Sequence, residues 1–121
     1  MLEIDHIGIP AHDVEASARF LCVVLGLSKA QAEGPDKDMY RVTISANSSV
    51  LYYPSRTPSS HHVAFRVDTK NFVKVVERLR EQHVLFGNHP EDTNGQTADL
   101  LGGHGRIYFH DPNGHVFEVM D

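Results

Sequence analysis

The chain opens on an alternation of polar and apolar positions. In His6-Ile7-Gly8-Ile9 the two isoleucines fall on one face of an extended strand, and His6 and Gly8 on the other. The period then changes. Val14, Ala18, Leu21 and Leu25 lie at i, i+4, i+7 and i+11, the single apolar stripe of an amphipathic helix. Asp13 is placed to cap this helix and Gly26 to stop it. Strand-like runs follow at roughly 28–32, 40–45 and 50–53, with Asn47-Ser48 turning the chain between the last two.

The same order returns 56 residues later, from His6 to His62. His62-Val63-Ala64-Phe65 alternates again, with His62, Ala64 and Arg66 on one face and Val63, Phe65 and Val67 on the other. A second helix starts near Asp68 or Thr69, and Phe72, Val75, Val76 and Leu79 make its apolar face. No glycine ends it, and the boundary falls at His83 or Val84. Further strands are expected at 84–87, 106–110 and 115–120, with Asp111-Pro112-Asn113-Gly114 as the turn between the last two. The reading is a β-α-β-β-β unit repeated once, an α+β fold. The first module spans 1–54, a Pro- and Ser-rich linker 55–60, and the second module 61–121. The bulky apolar faces are expected beneath the helices, and the histidines on the opposite, concave face.

Composition narrows the classes of function. At 121 residues the chain makes one compact domain, or two small halves sharing a core. Hydrophobic residues are 40% and charged residues 22%, as in ordinary globular proteins. A net charge of -5, with no basic cluster, gives no support for nucleic-acid or anionic-membrane partners. The longest apolar run, 20–27, is too short to span a bilayer. No charged-then-apolar leader opens the sequence, so the expected location is cytoplasmic. The lone Cys22 lies in the first apolar helix and reads as a small core residue.

Histidine is the unusual count, at nine, and position selects among them. His6 and His62 occupy repeat-equivalent places. Glu118 stands in the apolar strand Val116-Phe117-Glu118-Val119, where a carboxylate is costly unless paired or bound to metal. Read singly, each histidine is equally a strand residue satisfied by a hydrogen bond. Together, two imidazoles and one carboxylate form a facial metal site with open positions, which is the pattern of a catalytic metal. His61 has the opposite parity and is expected outside the site. Tyr108 lies ten residues before Glu118, across a hairpin, where its phenol would donate to a developing oxyanion; packing as a strand aromatic is the alternative. His110 shares its parity and is a candidate second polar group in the cup, and His115, just after the turn, reads as structural or solvent-facing. Arg66 shares a face with His62 and suits either an anionic substrate group or a surface ion pair. Residues 87–105 hold five of the nine glycines and read as a long loop beside the site, including Glu91, Asp92 and Asp99, none of which is assigned as a base.

Asp5-His6-Ile7-Gly8-Ile9, Leu25-Gly26-Leu27, His62-Val63-Ala64-Phe65-Arg66-Val67 and Ile107-Tyr108-Phe109-His110-Asp111-Pro112-Asn113-Gly114-His115-Val116-Phe117-Glu118 together resemble the vicinal oxygen chelate superfamily. That group includes glyoxalase I, fosfomycin-resistance enzymes, extradiol dioxygenases and bleomycin-binding proteins. The resemblance covers essentially the whole chain. It implies paired βαβββ modules curling into a cup, with helices outside, around one divalent metal held by His6, His62 and Glu118. It also implies a homodimer in which a site takes one histidine from one copy and two ligands from the other.

Departures from the pattern narrow the choice. Aligning Asn47 with Asn113 places Tyr52 at the position of Glu118, so the fourth ligand that glyoxalase I has near that point, a carboxylate or amide, would here be Tyr52 or Tyr53, and a four-ligand octahedral site is not expected. Three ligands resemble the fosfomycin-resistance and extradiol branches. The basic residues that grip a phosphonate have no match within 87–105, and the second-shell histidine of the extradiol branch has only His104 nearby. The expectation is a metal-dependent enzyme acting on a small molecule through two neighbouring oxygens, lyase-like, transferase-like or ring-cleaving, with Tyr108 orienting the substrate. Iron, manganese, zinc, nickel and cobalt all fit the ligands. The competing expectation is a non-catalytic small-molecule binder of the same fold.

Overall fold

A computed structural model describes residues 1–28, 30–91, 93 and 105–121. The chain divides into two compact units, Met1–Ser59 and Ser60–Asp121.

The first unit contains β1 (His6–Ala11), α1 (Val14–Leu25), β2 (Ala30–Glu33), β3 (Met39–Ser45) and β4 (Ser48–Pro54). Its sheet runs β1-β4-β3-β2, with β1 parallel to β4 and the other pairs antiparallel. The parallel step is the one the intervening helix permits, because a tight hairpin cannot join parallel neighbours. Asp13 caps α1 by accepting a hydrogen bond from the Ala16 N–H. Gly26 ends α1 in a left-handed turn, φ 71°. Ala18, Leu21 and Val24 are fully buried, as are Ile9, Val42 and Tyr52 of the sheet, and α1 packs over β3 and β4.

The second unit repeats the plan with β5 (His62–Arg66), α2 (Thr69–Glu81), β6 (Phe86–Gly87), β7 (Arg106–His110) and β8 (Val116–Met120), in the order β5-β8-β7-β6. Asp68 caps α2 through the Asn71 N–H. Phe72, Val75, Val76 and Leu79 are its buried face, and Ile107, Phe109, Phe117 and Val119 form the apolar side of the sheet. The α+β class and the doubled βαβββ order are therefore those read from the sequence.

Several local expectations shift. β2 runs from Ala30 to Glu33 rather than over 28–32, and β6 has only two residues. His115 belongs to the turn, not the strand, and is completely buried. There the Asp111 carboxylate accepts from the N–H groups of Asn113 and His115 at 3.0 and 2.8 Å. Ile7 is not packed away: it is 39% exposed on an edge strand, whereas Ile9 on the same face is buried. Within 87–105, the positions of Asp92, Asp99 and His104 lie outside the described residues, and Glu91 is exposed.

Candidate metal centre

Strand register assembles the site in the second unit. Ala64 and Tyr108 are both paired with Glu118, so one face carries Ala64, Glu118 and Tyr108 in a row across β5, β8 and β7. The preceding row is His62, Val116 and His110, and the following one is Arg66, Met120 and Arg106. All the polar candidates of this unit thus share the face opposite Phe117 and Val119, as strand parity requires.

Glu118 is the buried member, with its side chain 8% exposed. Its Oε1 lies 3.0 Å from His62 Nε2, and its Oε2 lies 3.2 Å from Arg106 Nε. A buried carboxylate needs such compensation. The 3.0 Å separation is also what two neighbouring ligands of an octahedral ion show when each bond is about 2.1 Å, since a right angle then sets the ligand atoms about 3.0 Å apart. Donor types and spacing fit a divalent cation at this pair. Because Arg106 holds Oε2, the carboxylate offers Oε1 alone on the His62 side.

Tyr108 completes the group. Its ring meets that of His62 edge-on, centroids 6.0 Å apart. Burial, and next the charge of Glu118, push the phenol above the ordinary tyrosine range, so it stays protonated and able to donate.

His6 stands on β1 of the first unit, half exposed. Its Nδ1 lies 2.8 Å from the Asp5 carboxylate, and that hydrogen bond holds the Asp5 carboxyl below its usual range. Such a contact orients an imidazole so that Nε2 is presented to a ligand. Among the described residues no three His, Cys, Asp or Glu side chains gather as a metal site. The structure brings together His62, Glu118 and Tyr108 of the sequence-selected set; His6 belongs to the other unit.

One assignment changes. Ser49 pairs with His6 and Leu51 with Gly8, just as Val116 pairs with His62 and Glu118 with Ala64. The counterpart of Glu118 is therefore Leu51, and Tyr52 matches Val119 on the buried face. Aligning Asn47 with Asn113 misplaces it by one, because Leu51 pairs with Arg41 and Glu118 with Tyr108 across hairpins of equal span, so that Asn113 stands at the centre of its hairpin and Asn47 one residue past the centre of its own. Leu51 has no donor atom, so this position offers nothing to a metal.

Arg106 was not singled out in the sequence, although parity with Tyr108 and Glu118 would have selected it. His61 and His115 are structural: the His61 N–H donates to His115 Nδ1 at 2.9 Å, and their rings meet edge-on. His110 is exposed on the face of Tyr108.

The profile of the Glyoxalase/Bleomycin resistance protein/Dioxygenase superfamily matches residues 3–119. Among solved structures, one called oxidase ChaP-H2 is 31% identical, with a TM-score of 0.88 over 99% of this chain and 93% of that one. Oxidase ChaP-H1 is 28% identical, with a TM-score of 0.88 over 99% and 95% of the two chains. The fosfomycin resistance protein FosX from Mesorhizobium loti, at 18% identity and a TM-score of 0.73 over 99% and 92%, shares the fold. No curated protein matches the chain.

Proposed function

Since the chain belongs to the Glyoxalase/Bleomycin resistance protein/Dioxygenase superfamily, we propose that it is a divalent-metal-dependent oxidase acting on a small molecule through two neighbouring oxygens. His6, His62 and Glu118 are the proposed ligands. The observation that carries this reading is the buried Glu118 carboxylate facing His62 at 3.0 Å, in a chain similar to two proteins named as oxidases. When bound, the metal would supply Lewis-acid polarisation of the chelated oxygens and, as iron(II), the redox couple an oxidase needs.

The protein's own groups have separable tasks. Glu118 brings the negative charge that attracts the cation, and Arg106 keeps its second oxygen turned away. His62 presents Nε2 beside Glu118 Oε1. Tyr108, held protonated, donates to the substrate oxygen on which negative charge develops. Asp5 orients His6. We further propose that two copies of the chain pair, so that His6 of one joins His62 and Glu118 of the other, and that the enzyme works in the cytoplasm.

The test is metal content of untagged protein by elemental mass spectrometry, followed by oxygen uptake with hydroxylated aromatic acids as trial substrates. About one metal per chain, lost together with oxygen uptake in His62→Ala and Glu118→Gln, is expected. Failure to bind any of iron, manganese, zinc, nickel or cobalt would sink the enzyme reading in favour of a non-catalytic binder.

A further inference from the structure

Two arginines converge on one sulfur at the edge of the proposed site. Arg66, Met120 and Arg106 form a cross-strand row over β5, β8 and β7, next to the row that holds Glu118. Arg66 NH2 lies 3.3 Å from Met120 Sδ, and Arg106 NH2 lies 3.7 Å from the same atom. The two guanidinium nitrogens are therefore no more than about 7 Å apart, a separation at which like charges repel appreciably even near the surface. Both side chains are exposed, Arg106 by 56%.

Among the described residues, the Glu118 carboxylate meets one arginine of this pair. A thioether is a weak acceptor with no charge. Arg66 NH1 donates to the main-chain oxygen of Asp121 at 3.1 Å. The Asp121 carboxylate is engaged elsewhere, 2.6 Å from Thr69 Oγ1 and 2.6 Å from the Gly105 N–H. Glu118 meets Arg106 through Nε at 3.2 Å, and a terminal nitrogen of the same guanidinium reaches Met120 Sδ.

We propose that Arg66 and Arg106 form an anion-binding subsite, and that the substrate carries a carboxylate, phosphate or sulfonate group at one end and the chelating oxygens at the other. The substrate class rests on the metal-site reading given above; the anion subsite rests on the two arginines alone. Met120 is two residues beyond Glu118 on β8, so the anionic group lies about 7 Å from the chelating end, the reach of one six-membered ring and its substituent. Guanidinium groups suit such oxyanions because their planar N–H pairs match two oxygens at once.

The experiment is a titration of the full chain with inorganic phosphate, followed by NMR of the arginine Nε–Hε signals. Sodium chloride of matched ionic strength is the control, and metal-free and zinc-loaded protein are run in parallel. Arg66 and Arg106 are expected to shift together and saturably, with Arg56 following the chloride control. Arg66→Gln and Arg106→Gln should each weaken phosphate binding roughly tenfold, and Arg66→Lys should recover part of the loss. Signals of Arg66 and Arg106 that respond no more than that of Arg56 would overturn the subsite. Phosphate binding without zinc uptake would defeat the metal-site reading and keep the subsite; zinc uptake without phosphate binding would do the reverse.

Discussion

Tyr108 and Glu118 are direct partners across the β7–β8 hairpin, phenol beside carboxylate on the same face. Burial and that neighbouring charge both disfavour the phenolate. The sign for stability follows. A phenol whose folded pKa is raised contributes fully below the unfolded value of about 10, and its contribution is lost as pH rises through the folded value. In metal-free protein, the 295 nm difference between wild type and Tyr108→Phe should show a phenol ionising above the ordinary tyrosine range. Wild type should also lose stability more steeply than the variant above about pH 10. A difference curve centred at or below the ordinary value would remove the argument that Tyr108 is held protonated.

Glu118→Gln separates ligand from scaffold. The amide keeps the shape and can still hydrogen-bond His62 and Arg106, so the metal-free variant should unfold within about 1 kcal/mol of wild type. Metal affinity should fall by at least roughly 100-fold, beyond what loss of an outer-shell contact costs. Calorimetric titration with the native metal, paired with urea unfolding of the metal-free forms, reads the two effects separately. Unchanged metal affinity would dismiss Glu118 as a ligand.

What the sequence disclosed was whatever depends on period. Alternation in His62-Val63-Ala64-Phe65 and in Val116-Phe117-Glu118-Val119 correctly placed His62, Glu118 and Tyr108 on one face, because side chains in a strand have no other choice. The repeat disclosed the βαβββ order for the same reason. What it hid depends on strand register, which period does not report. Matching the turns on Asn47 and Asn113, which are not equivalent positions, puts Tyr52 rather than Leu51 against Glu118. Arg106 shares the parity of Tyr108, but its contact with Glu118 shows only when β7 and β8 are put in register.

Glu33 and Arg41 form an ion pair across the β2–β3 hairpin of the first unit. Arg41 Nε and NH2 donate to the two oxygens of Glu33 at 2.6 and 2.9 Å, and NH1 donates to Ser49 Oγ at 2.6 Å. The guanidinium holds the Glu33 carboxyl below its usual range. A lowered folded pKa gives stability that is present above the unfolded value of about 4.3 and lost as pH falls through the folded one. The stability gap between wild type and Glu33→Gln, measured by urea unfolding, should therefore be open at pH 7 and close below pH ~4. A gap that stays constant from neutral to acid pH would show that the pair adds nothing through charge.

The two helices end alike and on different residues, which yields a prediction of opposite signs. After α1 the Leu27 N–H donates to the Cys22 carbonyl at 2.8 Å, and after α2 the Val84 N–H donates to the Leu79 carbonyl at 2.9 Å. Each closure needs a left-handed residue just before that donor. Gly26 fills the place in the first module at φ 71°, and His83 fills it in the second at φ 57°. A side chain in that conformation costs roughly 1 kcal/mol. Gly26→Ala should therefore destabilise by about 1 kcal/mol. His83→Gly should be neutral or stabilising by up to about 1 kcal/mol, after the extra unfolded-state freedom of glycine is subtracted. Thermal unfolding of the two variants beside wild type reads the signs directly. A clear loss of stability in His83→Gly would mean that the imidazole makes contacts worth more than the strain it carries.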